Sequence, residues 1–348
     1  MNIVDAMNPP YLTADLAGTG GRIKSVPEDF DVEEIPAYEP CGTGDHLYLW
    51  IEKRDMGAEF FVRQISKRLN LPPGEVGTAG LKDRHAVTRQ WISVPAPVEA
   101  NLPALEGDGI RVLRVSRHGN KLKPGHLRGN RFRILIRDAD STKAEGVATI
   151  VARLNAEGVP NFYGAQRFGK DGETVTTGLR LLRGEGGGRV SPFLRKLSLS
   201  SVQSLLFNKM LAQRMADGFF RRVLPGDVMM KWPAGGMFTA EDIAVEQERF
   251  DRRETVTGGP MFGRKTFPTH GEAAEREARC LQEAELTERS FDGFGKLMMG
   301  TRRHNLVYPD ELAANWEGEG LRVTCTLPAG CYATILLREI MKAAVEDE

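Results

Sequence analysis

The chain has 348 residues, of which 41% are apolar and 27% charged, which is the size of two domains with the composition of a globular protein. It contains no apolar run of about 18 residues, and residues 1–15 lack the layout of a signal peptide, so we expect a cytoplasmic protein without a membrane span. The net charge of +0 argues against nonspecific nucleic-acid binding, and the lack of CxxC and HExxH motifs argues against a disulfide framework or a bound metal.

The first 157 residues combine strand and helix patterns. Apolar residues at intervals of three and four predict helices over Gly57–Leu69 and Thr142–Ala156. A turn-like segment, Gly80–Arg84, joins two of the predicted strands. Those strands are Arg22–Ile35, His46–Lys53, Val76–Ala79, Gln90–Val94, Arg111–Val115 and Arg131–Arg137.

The middle of the chain is richer in glycine, and we interpret residues 158–304 as a second domain inserted into the first. Its clearest element is an amphipathic helix through Leu199–Met210 that ends at Gly218. The remaining predictions are a strand over Gly226–Trp232, helices over Ala240–Arg253 and Gly271–Leu286, a strand over Leu321–Thr326 and a helix over Cys331–Ala344. Residues 305–348 would then complete a first domain that begins with residues 1–157.

Nine lysine or arginine residues and no acid lie between Arg111 and Arg137. A segregated basic stripe of this kind is typical of phosphate binding. It is equally typical of the solvated face of a β-hairpin, and the sequence leaves the two interpretations open.

The segment Gly80–Gln90 contains a candidate catalytic acid, Asp83. Acids in exposed turns are commonplace, and most have no chemical role. This one lies between Lys82 and Arg84, and nearby cations favour an ionised carboxylate. An anionic aspartate on a loop between two strands suits nucleophilic or general-base chemistry. By contrast, the glycine-rich stretches match neither the P-loop nor the dinucleotide-binding pattern, so nucleotide binding has little support.

Six segments, taken in order, resemble the TruD family of tRNA pseudouridine synthases, and together they cover essentially the whole chain. Each segment alone is modestly specific, whereas the ordered set is highly specific. The segments are Pro27–Val32, His46–Lys53, Gly80–Gln90, Lys121–Phe132, Pro160–Gly169 and Leu327–Thr334.

The resemblance implies an α+β fold of the pseudouridine-synthase type, with a mixed, mainly antiparallel sheet, flanking helices and an inserted α/β domain. It implies that Asp83 is the essential carboxylate and that Phe30, Asn130 and Tyr332 line the uridine pocket. The three have plainer interpretations as a core residue, a turn residue and a residue that packs at a helix start. We also expect Lys24 to supply a counter-charge near Asp83. Two departures from the family pattern are Cys331, where a small hydroxyl residue is expected, and a tyrosine at position 332, where some members carry phenylalanine.

The resemblance implies an enzyme that isomerises a uridine of tRNA to pseudouridine, at position 13 of the D-arm. It further implies that this enzyme is a monomer and uses no cofactor or metal. Asp83 would attack the nucleoside or remove a proton from its sugar. One alternative is a noncatalytic RNA-binding or chaperone protein, and another is a metabolic enzyme that binds a small anion. Predicted contacts to the tRNA backbone are Lys121, Lys123, Arg128, Arg131, Arg167, Arg302 and Arg303.

Overall fold

The computed structural model describes residues 6–185, 190–233 and 235–343. The strands are β1 Phe30–Pro36, β2 His46–Arg54, β3 Gly77–Thr78, β4 Val87–Pro95, β5 Ile110–His118, β6 Leu127–Arg137, β7 Val159–Pro160, β8 Val228–Lys231, β9 Met237–Thr239, β10 Thr255–Met261, β11 Thr301–His304, β12 Leu306–Val307, β13 Asp310–Glu317 and β14 Gly320–Pro328. The helices are α1 Ala58–Arg68, α2 Ala144–Glu157, α3 Glu173–Leu182, α4 Pro192–Ala216, α5 Ile243–Asp251, α6 Gly271–Glu283 and α7 Ala333–Met341.

The larger sheet has eight strands and unites the two ends of the chain. Its order is β13-β14-β6-β1-β4-β2-β5, with β3 paired to β4. Strands β1 and β4 are parallel, whereas the other pairings among its described strands are antiparallel. The predicted α+β fold with a mainly antiparallel sheet and flanking helices is therefore confirmed.

Strands β7 and β12 pair in a two-stranded sheet, and a further sheet has four strands, in the order β11-β10-β8-β9, all drawn from the middle of the chain. The long helix α4 packs against it, because Phe207 and Leu211 share one core with Val256 of β10. Residues of the larger sheet, such as Phe30, belong to that same core. The boundaries at 157/158 and 304/305 stay a prediction.

One face of the larger sheet is covered by α1. Apolar residues at alternate positions of β2, including Leu49 and Ile51, pack with Ile92 of β4. Phe61 and Ile65, one helical turn apart, complete this core from α1. The apolar face of strands β2 and β4 thus packs against the apolar face of helix α1.

Three sequence predictions differ from the structure. The predicted strand Arg22–Ile35 begins only at Phe30, because Pro27–Asp29 form a 3-10 turn. Strands β7, β9, β10, β11, β12 and β13 were not predicted. The basic stripe is not a hairpin, because β1, β4 and β2 lie between β6 and β5. The last predicted helix was placed as far as Ala344, which lies outside the described residues.

Within the described ranges, no helix is both long enough and apolar enough to cross a membrane.

Helices α3 and α4 approach closely at Gly178. A Cβ atom placed there would lie 2.3 Å from the Ser198 carbonyl oxygen and 2.6 Å from Val202 Cγ2. We therefore expect Gly178→Ala to lower the free energy of unfolding by about 1–3 kcal/mol, because the two helices must separate. Gly146→Ala in α2 is the matched control, since the nearest atom would be 3.7 Å away. It should raise stability by about 0.5–1 kcal/mol. Urea denaturation measures both, and equal changes would contradict the close approach.

Candidate active site around Asp83

Asp83 lies beside a cavity of about 520 Å³, the Asp83 cavity, which is large enough for a small ligand or a single nucleotide. The segment between β3 and β4, residues 79–86, is termed the Asp83 loop and forms one wall. Phe30 of β1 and Asn130 of β6 line the cavity from the sheet, and Tyr332 lines it from the start of α7. The four predicted residues come from distant parts of the chain and meet at one cavity.

Two buried ammonium groups hold the Asp83 loop. Lys82 Nζ donates to Glu34 Oε2 at 2.6 Å, and both side chains are almost completely buried. Burial raises the pKa of Glu34, although the Lys82 charge opposes that shift. Lys53 Nζ donates to the carbonyl oxygens of Met56 at 2.5 Å and of Asp83 at 2.7 Å. The backbone on both sides of the Asp83 carboxylate is therefore fixed.

Lys24 lies where its charge balances that of Asp83. Its Nζ is 3.1 Å from Asp83 Oδ1 and 4.5 Å from the centre of the Phe30 ring. The Lys24 side chain is 11% exposed and that of Asp83 35%, so the pair is shielded while one side of the carboxylate stays accessible. The predicted counter-charge is therefore in place.

The three predicted pocket residues offer one amide and two aromatic rings. Phe30 is 1% exposed, so it is a core residue that also lines the cavity. Asn130 Oδ1 is buried and has no hydrogen-bond partner among the described residues. The Tyr332 ring packs edge-on against Tyr163 at 5.8 Å between centroids, and burial raises the pKa of Tyr332. Asn130 thus brings an amide to the lining of the cavity, and the oxygen of that amide is not used by the described part of the protein.

Another part of the lining comes from the middle of the chain. Gln166, Arg167 and Leu197 line it, and the Arg167 guanidinium is held by the hydroxyls of Ser200 and Ser204 from α4. The predicted backbone contact Arg167 thus faces the Asp83 cavity rather than an outer surface.

Ion pairs neutralise much of the basic stripe. Arg131 lies 3.4 Å from Glu33, and Lys121 donates to the Gly74 carbonyl oxygen. Lys123 is exposed in the loop between β5 and β6, and Arg128 is exposed near the start of β6. The other stripe residues that pair with acids are Arg111, Arg114, Arg117 and Arg137.

Two arginines that were predicted to contact the RNA backbone instead bind other groups of the protein. The Arg302 side chain is 1% exposed and pairs with Glu277, so the prediction that it contacts RNA is wrong. Arg303 donates to Asn161 Oδ1 at 2.6 Å and to the Gly330 carbonyl oxygen at 2.9 Å. It also lies 4.2 Å from the Tyr163 ring centre, and so supports the wall that carries Tyr332.

No group of His, Cys, Asp or Glu among the described residues is arranged to hold a metal ion. Cys331, one of the two departures from the family pattern, lines the Asp83 cavity, and burial raises the pKa of its thiol to about 11. It is therefore a neutral, protonated wall residue at ordinary pH.

The sequence analysis missed Lys53 and Glu34 as residues that position the Asp83 loop. The sequence does indicate that Lys53 is buried, because Leu47, Leu49 and Ile51 alternate on the buried face of β2 and Lys53 continues that series. A charged residue at such a position must find partners inside the protein.

Comparison with known proteins identifies the family of the chain. The family model described as tRNA pseudouridine synthase D (TruD) matches residues 6–194 and 188–340. A protein named tRNA pseudouridine synthase D from Anaeromyxobacter dehalogenans is 45% identical, and the alignment covers 97% of each chain. One of the same name from Thermus thermophilus is 44% identical over 97% of this chain and 93% of that protein.

A solved structure described as a TruD protein from Methanosarcina mazei has the same fold. It superposes with a TM-score of 0.76, covers 94% of this chain and 95% of that chain, and is 23% identical in sequence. Together, the fold and the family match define an enzyme of the pseudouridine synthase class. The chain belongs to the tRNA pseudouridine synthase D (TruD) family, and the resemblance found in the sequence is confirmed.

The lowered pKa of Lys53 predicts that the stability of the protein depends on pH. Burial lowers its pKa from 10.5 to about 8, so between these values the unfolded chain binds more protons than the folded one. The free energy of unfolding should then rise with pH across that window, by about 1–3 kcal/mol relative to Lys53→Met. Denaturant titrations of both proteins between pH 7 and 10 measure this difference, with Lys67→Met on the exposed face of α1 as control. A difference that does not change with pH would contradict the assignment.

Proposed function

We propose that the chain isomerises a uridine of tRNA to pseudouridine in the Asp83 cavity, with Asp83 as the catalytic carboxylate and uridine 13 of the D-arm as the target. The observation that carries this proposal is the convergence of Asp83, Phe30, Asn130 and Tyr332 on one cavity of about 520 Å³. Family membership supplies the reaction class, and the geometry supports the roles of the individual residues.

The reaction breaks the N1–C1′ glycosidic bond, turns the uracil and forms a bond from C5 to C1′. The proton on C5 is released and N1 gains one, so no electrons enter or leave. Asp83 takes part either by attacking the nucleoside or by removing a sugar proton, and both roles need the ionised carboxylate. The Lys24 ammonium 3.1 Å away compensates that negative charge.

The cavity suits a uracil that has left the base stack. Enzymes that act on a base extrude it into a pocket and hold it between aromatic or apolar side chains. Phe30, Phe132 and Tyr332 are the aromatic residues that line this cavity. The unpartnered Asn130 Oδ1 matches the N3–H donor of uracil, which would remove the cost of a buried acceptor without a partner.

We propose that the RNA backbone contacts the exposed Lys123 and Arg128 near one edge of the cavity and Arg167 at the other. The two sets lie on the larger sheet and on the middle part of the chain, so the tRNA would lie between the two predicted domains. Monomeric state and cytoplasmic location stay predictions from the sequence.

The test is release of tritium from tRNA labelled at uridine C5. We expect release by the wild type, and a loss of at least about 10²-fold in Asp83→Asn, because the amide can neither attack nor accept a proton. Asp138→Asn is the control, since that acid is 66% exposed and pairs with Arg22 away from the cavity.

Equal release by the wild type and Asp83→Asn would remove Asp83 from the mechanism. No release from any tRNA by folded wild-type protein would overturn the proposed activity. Sequencing the product for pseudouridine then identifies the position, and a site other than 13 would overturn that part alone.

A further inference from the structure

A second cavity, the Gln90 cavity, lies on the other side of the Asp83 loop. Its volume is about 400 Å³, and its walls are mainly apolar. Phe61 and Val62 of α1 form one wall and Pro73 contributes to another. Gly80 and Leu81 line both this cavity and the Asp83 cavity, so only the Asp83 loop separates the two.

Gln90 brings a buried amide to this cavity. The residue lies in β4 opposite Ile51 and is only 2% exposed. Its side chain lines the Gln90 cavity and forms no hydrogen bond with any residue in the described ranges. The amide of Gln90 is not sealed inside the protein, because the cavity reaches it. A ligand in the cavity can therefore form hydrogen bonds with this amide.

We propose that the Gln90 cavity binds a second, unpaired nucleobase of the RNA substrate, one that neighbours the target uridine. This rests on the function proposed above. The amide of glutamine pairs with base edges because it offers a donor and an acceptor side by side. The apolar wall around Phe61 and Val62 buries the faces of the base, as in other sites for single-stranded RNA.

Two further features favour RNA as the occupant. Leu81 is 82% exposed at the boundary of the two cavities, where an apolar side chain can separate two successive bases. Arg63 lies at the rim and can contact the phosphate of the bound nucleotide. Because the two cavities are adjacent, one strand of RNA can occupy both.

The experiment combines an abasic scan of the RNA with variants of the protein. Nucleotides around the target uridine are replaced one at a time by abasic residues, and kcat/KM is measured by tritium release. For the wild type, we expect one position at which loss of the base lowers kcat/KM by about ten-fold or more. Gln90→Leu should show a similar loss on intact tRNA and no additional loss with that abasic RNA.

Val62→Phe is a second variant, which fills the cavity from α1 and should behave in the same way. The control is Thr88→Val, which removes a buried polar atom without a partner from β4 at a position that does not line the cavity. It should retain the wild-type kcat/KM. Gln90→Leu should unfold at the same temperature as the wild type or higher, because it removes an unpaired buried amide.

Additive losses at every RNA position, or unchanged kcat/KM in both Gln90→Leu and Val62→Phe, would overturn the second base site while the proposed activity stands. An equal loss in Thr88→Val would also overturn it, since the effect would then come from strand packing. A folded wild type that is inactive on intact tRNA would instead overturn the proposed function itself.

Discussion

The position of the Asp83 carboxylate depends on two buried ammonium groups that tie the Asp83 loop to the sheet. Lys82 reaches Glu34 on β1, and Lys53 reaches the main-chain oxygen of Asp83 from β2. A buried ion pair contributes little net stability compared with apolar side chains of similar size. Breaking one leaves a buried charge at a cost of about 3–5 kcal/mol, so other positions of the loop are strongly disfavoured.

Because the loop is held from β1 and β2, the rest of the site can be assembled around it from three parts of the chain. Phe30 and Asn130 come from the centre of the larger sheet, Tyr332 from the start of α7, and Arg167 from the middle region. Gly330 and Tyr163 are joined through Arg303, so the wall that carries Tyr332 is also fixed. The site is therefore largely formed before any substrate binds, which lowers the entropic cost of binding.

Much of this was predictable from local patterns. The alternation in His46–Lys53 and the spacing in Gly57–Leu69 gave strand β2 and helix α1 within a residue or two. The family resemblance, not periodicity, was what brought Asp83, Phe30, Asn130 and Tyr332 together before the structure did. Propensity alone assigns none of these residues to one site, because the contacts span the whole chain.

The failures have physical causes. Strand β10 is buried at all seven positions and contains Gly258, Gly259 and Pro260, which is a loop pattern by propensity. A Cβ atom at Gly259 would lie 2.4 Å from Asn305 Oδ1, so packing requires the glycine there. The basic stripe looked unneutralised in the sequence because the acids that pair with it, such as Glu52 and Asp29, are distant along the chain. The prediction that Arg302 contacts RNA was wrong for the same reason, since its partner Glu277 lies on a different element.

The place of β14 between β6 and β13 has a consequence for synthesis on the ribosome. Strand β6 is made early, but its partner on one side consists of residues 320–328, near the other end of the chain. At about 5–20 residues per second, translation of the intervening segment takes roughly 10–40 s. Throughout that interval one edge of β6 has no partner strand, although it becomes an interior edge of the finished sheet. Asn130 and the Asp83 loop are then already made, whereas the segment that contains Tyr332 is not. An incomplete chain thus has the Asp83 carboxylate but lacks the part of the Asp83 cavity lined by Tyr332, so truncated products of translation have no complete cavity.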